Sequence, residues 1–429
     1  MLNTTAVSRR HFLQQGLAAA GVALARPAIV PGSVLGRDRA AAASSRITLG
    51  FIGVGWKGFE GCWGSLLQSF IREPGTQVLA VCDVDRRFRD RAKAYVDEFY
   101  GNRDCTACLD FRDIIVRPGI DAVVIATPDH WHAVMTIAAC REGKDVYCEK
   151  PLSLTVHEAR AMVQAARRSE RVVQTGSQSR SNPNLRAACE LIRQGRLGRI
   201  REVYASCGGP SVPCDLPAQP VPDYLDWDRW LGPAPWRPYH QRIHPIGFRE
   251  WHDYSGGGMT DWGAHHFDLA QWALGQDASG PVAVLPPDGK GRRWLTFQYA
   301  DGTLLYHSSF NINDGVIFVG TEGKANLNGV SGKTTFEPPG LAPRAQPLVT
   351  AGDLQGNRGH YADFLECIRQ RRRPVADVEI GCRSVTVCHI GNIAYALQQP
   401  LRWNPETESF GDDEANRLLD RARREPWTG

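Results

Sequence analysis

The stretch Ile47-Thr48-Leu49-Gly50-Phe51-Ile52-Gly53-Val54-Gly55-Trp56-Lys57-Gly58 decides the fold. An apolar run of strand length feeds directly into G-x-G-x-x-G. In such a turn the first glycine makes the bend, the second lets backbone approach a pyrophosphate, and the third allows close helix–strand packing. A helix opening there would add unpaired N–H groups and partial positive charge. A second apolar run, Val78-Leu79-Ala80-Val81-Cys82, ends in Asp83, an acid placed for ribose hydroxyls. Strand, turn, helix, strand and acid in this order predict a bound nicotinamide dinucleotide, with Gly53, Gly55, Trp56, Lys57, Gly58 and Asp83 around it. A carboxylate repels a 2′-phosphate, so Asp83 points to NAD; Arg86 and Arg87 just beyond leave NADP as the alternative.

Around this unit, apolar runs alternate with helical patterns from 46 to about 175. Strands are expected at 47–53, 77–82, 121–126, 145–148 and 171–175, and helices near 57–71, 86–99, 131–142 and 155–169. That alternation predicts a parallel, doubly wound sheet. Beyond Gly176 the texture changes. A helix near 183–195 is followed by strands alternating apolar with polar residues. The clearest pair is Trp294–Tyr299 and Leu304–Phe310, joined through Asp301-Gly302. With another strand at 316–319 and late helices at 358–371 and 379–398, the second half reads as an α+β domain on a large, mostly antiparallel open sheet. An amphipathic tail helix is expected over 412–424.

At 429 residues the chain has room for two domains with ample cores. A formal charge of +4 is small for that length, and there is no basic stripe interleaved with aromatics, so nucleic acid is not an expected partner. Residues 1–25 read as an export signal. Ser8-Arg9-Arg10-His11-Phe12-Leu13 resembles the twin-arginine pattern, an apolar segment runs from Gly16 to Ala25, and Ala23-Leu24-Ala25 offers a cleavage site. No later stretch reaches the roughly 20 apolar residues of a membrane span. The expected organisation is therefore signal 1–25, linker 26–45, nucleotide domain 46–175, substrate and oligomerisation domain 176–405, and tail 406–429, with a periplasmic destination. The twelve cysteines are scattered, which suits small buried hydrophobes better than a disulfide framework; Cys105 and Cys108 form the one close pair.

Three further segments carry chemistry. The strand ending near Ala126 delivers Thr127-Pro128-Asp129-His130-Trp131-His132, and the next delivers Cys148-Glu149-Lys150-Pro151. Ligands of open α/β sheets bind beyond the carboxyl ends of strands, so both segments face the cofactor crevice. Much later, Gly256-Gly257-Gly258-Met259-Thr260-Asp261-Trp262-Gly263-Ala264-His265-His266 reads as a helix start with Asp261 and His265 at i and i+4 on one face.

GVGWKG, Asp83, ATPDHWH, EKP and DxxxH, in that order, resemble the glucose–fructose oxidoreductase, inositol dehydrogenase and MocA (Gfo/Idh/MocA) family over essentially all of 46–400. The resemblance implies a Rossmann domain followed by an open-sheet domain, hydride transfer between NAD(P) and a sugar-like secondary hydroxyl, and assembly into homo-oligomers through the open sheet. It places the catalytic lysine on Lys150, the aspartate on Asp261 and the histidine on His265, with Thr127, Pro128, His130, His132, Glu149 and Lys150 at the cofactor.

The residue types fit that chemistry. His265 can take the hydroxyl proton, Lys150 can hydrogen-bond the developing alkoxide, and Asp261 can orient the pair and support charge on the histidine. Gln178 and Arg180, just past the last Rossmann strand, and Tyr254 are candidate substrate contacts. Six of the twelve tryptophans lie between Trp227 and Trp272, where flat rings could serve as a sugar platform or as plain core. His130, His132, His265 and His266 could be counted as metal ligands, but they lie on cofactor and substrate elements, and no metal is expected. An NAD-dependent glycosidase, which oxidises, eliminates and reduces back, is the close rival; relatives of that kind can depart from the EKP lysine, whereas Lys150 is present. A non-catalytic dinucleotide-binding protein is the rival of another class.

Overall fold

The computed structural model describes residues 45–61, 65–343 and 358–427. The stretch read as an export signal, and nearly all of the stretch read as a linker, lie outside them. Ile47–Ile52 forms β1, followed by β2 (Thr76–Cys82), β3 (Thr106–Cys108), β4 (Ala122–Ile125), β5 (Asp145–Cys148) and β6 (Val173–Thr175). They make one parallel sheet in the order β3-β2-β1-β4-β5-β6, the doubly wound arrangement with its switch point between β1 and β4. Every side chain of β4 and β5 is buried, as expected where helices cover both faces. β3 and the short helix Arg112–Ile115 have too few residues to show a period, and the sequence reading passes over both.

The helix expected at 57–71 is interrupted. A single π-type turn covers Trp56–Glu60, Gly61 is extended, and an α-helix covers only Leu66–Phe70, capped by Ser65. Glycines at 58 and 61 remove the helical preference where the continuous helix would need it. The other Rossmann helices, Arg86–Tyr100, Asp129–Arg141 and Val156–Arg168, lie within two residues of expectation.

The second sheet comprises β7 (Ile200–Ser206), β8 (Ala283–Leu285), β9 (Leu295–Gln298), β10 (Leu304–Ser309), β11 (Val316–Gly320), β12 (Lys324–Leu327), β13 (Thr334–Glu337), β14 (Leu401–Asn404) and β15 (Ser409–Phe410). Their order is β13-β12-β11-β7-β10-β9-β8-β14-β15, antiparallel except for the β7–β10 pair. Phe297, Leu305, Val316 and Phe318 bury one face against Phe267, Val387 and Ile390 of the helices Gly263–Ala273 and Val378–Leu397. The opposite face carries half-buried Tyr204, Tyr306, Ile317 and Val319.

The C-terminal third also returns to the Rossmann half. Tyr361, Phe364 and Leu365 of the helix Arg358–Gln370 share a core with Leu49 and Phe51 of β1. The tail helix is only Asp413–Arg417; beyond it the chain is irregular, and Arg421 bonds Glu158 rather than a helical neighbour. All described cysteines are free thiols, Cys105 and Cys108 among them. No described helix is long and apolar enough to cross a membrane.

Candidate active site

One cavity of about 490 Å³ opens beyond the carboxyl ends of the Rossmann strands. Its floor is the glycine turn. Gly53 adopts φ +82°, and a Cβ there would stand 2.8 Å from the carbonyl of Ala126. A Cβ on Gly58 would stand 2.0 Å from the Gly53 oxygen, so this glycine lets the turn close on the strand without itself lining the cavity. Gly55, Trp56 and Lys57 line it, and Lys57 reaches to 3.8 Å from Glu149. Because the helical turn here is only five residues long, the turn's backbone, more than a long helix dipole, would meet phosphates.

Asp83 lines the same cavity. Its carboxylate accepts from Val54 N at 2.8 Å and Asp85 N at 2.9 Å, which fixes the turn against β2. Burial pushes its pKa up to about 6 against those two hydrogen bonds. Arg86 and Arg87 do not line the cavity. Arg87 is held by Asp85 and lies 3.5 Å over the Tyr224 ring, and Arg86 pairs with exposed Asp223.

On the far side of the turn stand Thr127, Pro128, Glu149, Lys150, Gln178, Asp261 and His265. Lys150 Nζ donates to Asp261 Oδ1 at 2.6 Å and to the Asp261 carbonyl at 2.9 Å. Despite the cost of burial, the charges of Lys150 and Arg249 hold the Asp261 carboxyl far below its usual range. Burial, then the Lys150 ammonium, push His265 well below 6.5, so its imidazole is neutral. Its Nδ1 is buried with no hydrogen-bond partner, as is Thr127 Oγ1. Both are polar atoms that a ligand can satisfy, and the turn is a cradle that side chains would fill; the residues present fit a dinucleotide with a small polyol beside it.

Other candidates lie elsewhere. Arg180 does not reach the cavity: it is buried, bonded to Asp268 at 2.9 Å and Asp277 at 2.7 Å, and ties helices of the second domain together. Tyr254 is buried against Trp230 and His130. His130 bonds the Trp230 carbonyl, and His132 bridges the carbonyls of Pro151 and Thr127. Neither ring lines the cavity, but His132 locks the two strand-end loops together. His266 bonds Ser206 O, and no described group of three or more metal-ligating side chains forms. Gln178 does line the site, where its amide donates to Glu149 at 2.9 Å and Tyr147 at 3.0 Å. Asp261 and His265 fall on two short helices, Gly258–Asp261 and Gly263–Ala273, so Asp261 partners Lys150 instead of the histidine.

The sequence reading missed Arg249, whose Nε lies 3.4 Å from Asp261 Oδ1, and Asp129, whose buried Oδ2 has no partner. Asp129 sits inside the Thr127–His132 segment already singled out; nothing in the pattern marks Arg249. Of the tryptophan-rich stretch, Trp230 and Trp262 line the cavity, whereas Trp227 stacks on Trp230 at 4.6 Å in a core of its own.

Two family models match the chain: the oxidoreductase-family NAD-binding Rossmann fold over residues 47–177, and the oxidoreductase-family C-terminal α/β domain over residues 212–429. The chain belongs to the GFO/IDH/MocA oxidoreductase family. Its amino-terminal half is thus an NAD(P)-binding Rossmann domain, as the glycine turn and Asp83 require. Among family relatives, the glycosyl hydrolase family 109 protein 1 of Shewanella sp. (strain ANA-3) is 30% identical over 210 residues, 45% of this chain and 44% of that protein. An alpha-N-acetylgalactosaminidase of Shewanella oneidensis is 29% identical over 212 residues, again 45% and 44%. The match therefore spans less than half the length of these relatives. In fold, the chain is similar to the aldose-aldose oxidoreductase of Caulobacter crescentus complexed with glycerol, at TM-score 0.59 and 21% identity over 83% of this chain and 99% of that one. It is also similar to levoglucosan dehydrogenase in complex with NADH and levoglucosan, at TM-score 0.60, 21% identity and the same coverage.

Proposed function

We propose that this protein transfers hydride between a tightly bound NAD and a secondary hydroxyl of a sugar, sugar derivative or cyclitol. The observation that carries the reading is the meeting of Lys150, Asp261 and His265 in the cavity that also holds the glycine turn and Asp83. NAD, when bound, accepts or returns the hydride. Asp261 aims the Lys150 amine, which donates to the substrate oxygen as negative charge develops there. Neutral His265 takes the hydroxyl proton. Its basicity is low in the free site because it is buried and because Lys150 is near; negative charge developing between the two offsets the lysine's field. Trp262 and Phe248 offer flat apolar walls for sugar C–H faces. Asp83 in the cavity, with Arg87 tied up outside it, supports NAD over NADP. The test is a panel of sugars and polyols added to the purified protein while the reduced-nicotinamide absorbance is followed. Reduction by at least one of them is expected; silence with all would favour an inert dinucleotide-binding protein.

A second reading has its own support. Relatives about 30% identical bear glycosyl hydrolase names, and the same lysine and histidine could serve a cycle in which hydride passes from the sugar to bound NAD, the leaving group is eliminated, and the hydride is returned. Release of aglycone from aryl glycosides without added NAD would select it; the retained Lys150 favours the dehydrogenase.

We further propose export by the twin-arginine route, on the strength of Ser8–Leu13, and a homo-oligomer formed through the second sheet. The oligomer is supported by the aromatic group Tyr204, Trp294 and Tyr306 on the uncovered face, with ring centroids 5.0–5.7 Å apart. The twin-arginine route carries folded proteins, which suits a cofactor that stays bound and is recycled in place.

A further inference from the structure

We infer that the C-terminal segment 419–427 is a built wall of the dinucleotide site, with Trp427 holding the purine end of the cofactor and slowing its release. This inference rests on the reading that the crevice takes a dinucleotide.

The segment is fastened to both halves of the chain. His157 N donates to Leu419 O at 3.0 Å, and Arg421 donates to Glu158 Oε1 at 3.1 Å and to His130 O at 3.0 Å. Arg424 N donates to Pro233 O at 3.0 Å, while its guanidinium reaches Gly232 O at 3.0 Å and Asp228 O at 2.9 Å. So many backbone anchors on an irregular stretch fix its path. They deliver Trp427 to a place where it is 8% exposed, edge-on to Trp131 at 4.9 Å, with Arg112 5.0 Å from the ring.

Trp427 also borders the cavity. Buried tryptophan N–H groups normally find an acceptor. Trp131 Nε1 donates to Trp230 O and Trp227 Nε1 to Arg237 O, each at 2.9 Å. Trp427 Nε1 is buried with no partner, as is Trp251 Nε1, but of the two only Trp427 lines the same cavity as Asp83. Leu109, Asp110 and Phe111, which directly follow β3, line it too, and β3 borders β2. This is therefore the end of the crevice beyond Asp83. An adenosine whose ribose hydroxyls sit on Asp83 carries its base toward that end. A purine offers flat faces to the rings that line this end of the crevice. Release of the base would then require the fastened segment to shift, which slows dissociation more than it changes association.

The test uses the full chain, stripped of nucleotide, as wild type, Trp427→Ala, Trp427→Phe and Arg424→Ala, each with its melting curve. Binding of NADH and of reduced nicotinamide mononucleotide, which lacks the adenosine, is measured by calorimetry, and NADH release by stopped-flow. Arg424 does not line the cavity, so its variant loosens the segment without touching ligand. The expected result is NADH bound about tenfold more weakly by Trp427→Ala, chiefly through faster release, with Arg424→Ala also faster and Trp427→Phe intermediate. The mononucleotide should bind all four alike. NADH affinity and release within twofold of wild type in both Trp427 variants would overturn the inference, as would an equal loss for the mononucleotide. If the wild type binds no NADH while folded, the dinucleotide reading falls, and this one with it.

Discussion

Lys150 and Asp261 lie 111 positions apart and share two hydrogen bonds, one to the aspartate side chain at 2.6 Å and one to its backbone carbonyl at 2.9 Å. The first residue lies just past a Rossmann strand and the second closes a short helix of the other domain, so the pair joins the two halves at the proposed reaction centre. Replacing Lys150 by Ala should lower kcat by about 10²- to 10⁴-fold, because it removes the donor to the developing alkoxide. NADH affinity should stay within a few-fold, which calorimetry on the same sample checks. Asp261→Asn should fall between, since the lysine keeps its carbonyl partner.

His265 is held well below its usual pKa by burial and by the Lys150 charge. It is active when neutral, so activity is lost only as pH falls through that depressed value. The log of kcat/KM against pH should therefore show no histidine downturn between pH 8 and 6.5. An ionisation near 6.5 that vanishes in His265→Gln would contradict the assignment.

Burial pushes the pKa of the Asp83 carboxyl up to about 6. Above that pH its charge repels a 2′-phosphate; below it the carboxyl is neutral and the repulsion is lost. The ratio of NADP to NAD dissociation constants should accordingly be large at pH 8 and shrink at pH 5. Asp83→Asn should flatten that dependence.

Arg180 is 2% exposed against Asp268 at 0%, which also accepts from Ser384 at 2.6 Å. Arg180→Leu would leave a buried carboxylate without its cation, a loss of about 3–5 kcal/mol in unfolding free energy. Urea titration should read this, with KM of the folded fraction unchanged. A raised KM at full stability would return Arg180 to the substrate site.

Residues whose role depends on local pattern were readable from the chain. β1, the glycine turn and Asp83 announce themselves because strand period, turn chemistry and the acid follow each other within 37 residues, Ile47 to Asp83. The apolar pattern over 57–71 suggests one helix, but glycines at 58 and 61 weaken it, and β3 is too short to show a period. Arg180 and Tyr254 look available in sequence, yet both are buried by partners that arrive from later segments. Arg249 and Trp427 reach the cavity only through the way the second domain and the C-terminal segment fold back, which no local spacing encodes.

The most direct measurement is a crystal structure of the protein with NADH and a polyol bound. The account requires the nicotinamide ring between the Lys150 amine and the His265 imidazole, with a polyol hydroxyl within hydrogen-bond reach of both. A nicotinamide lying away from those two side chains, or a polyol seated in a different cavity, would contradict it.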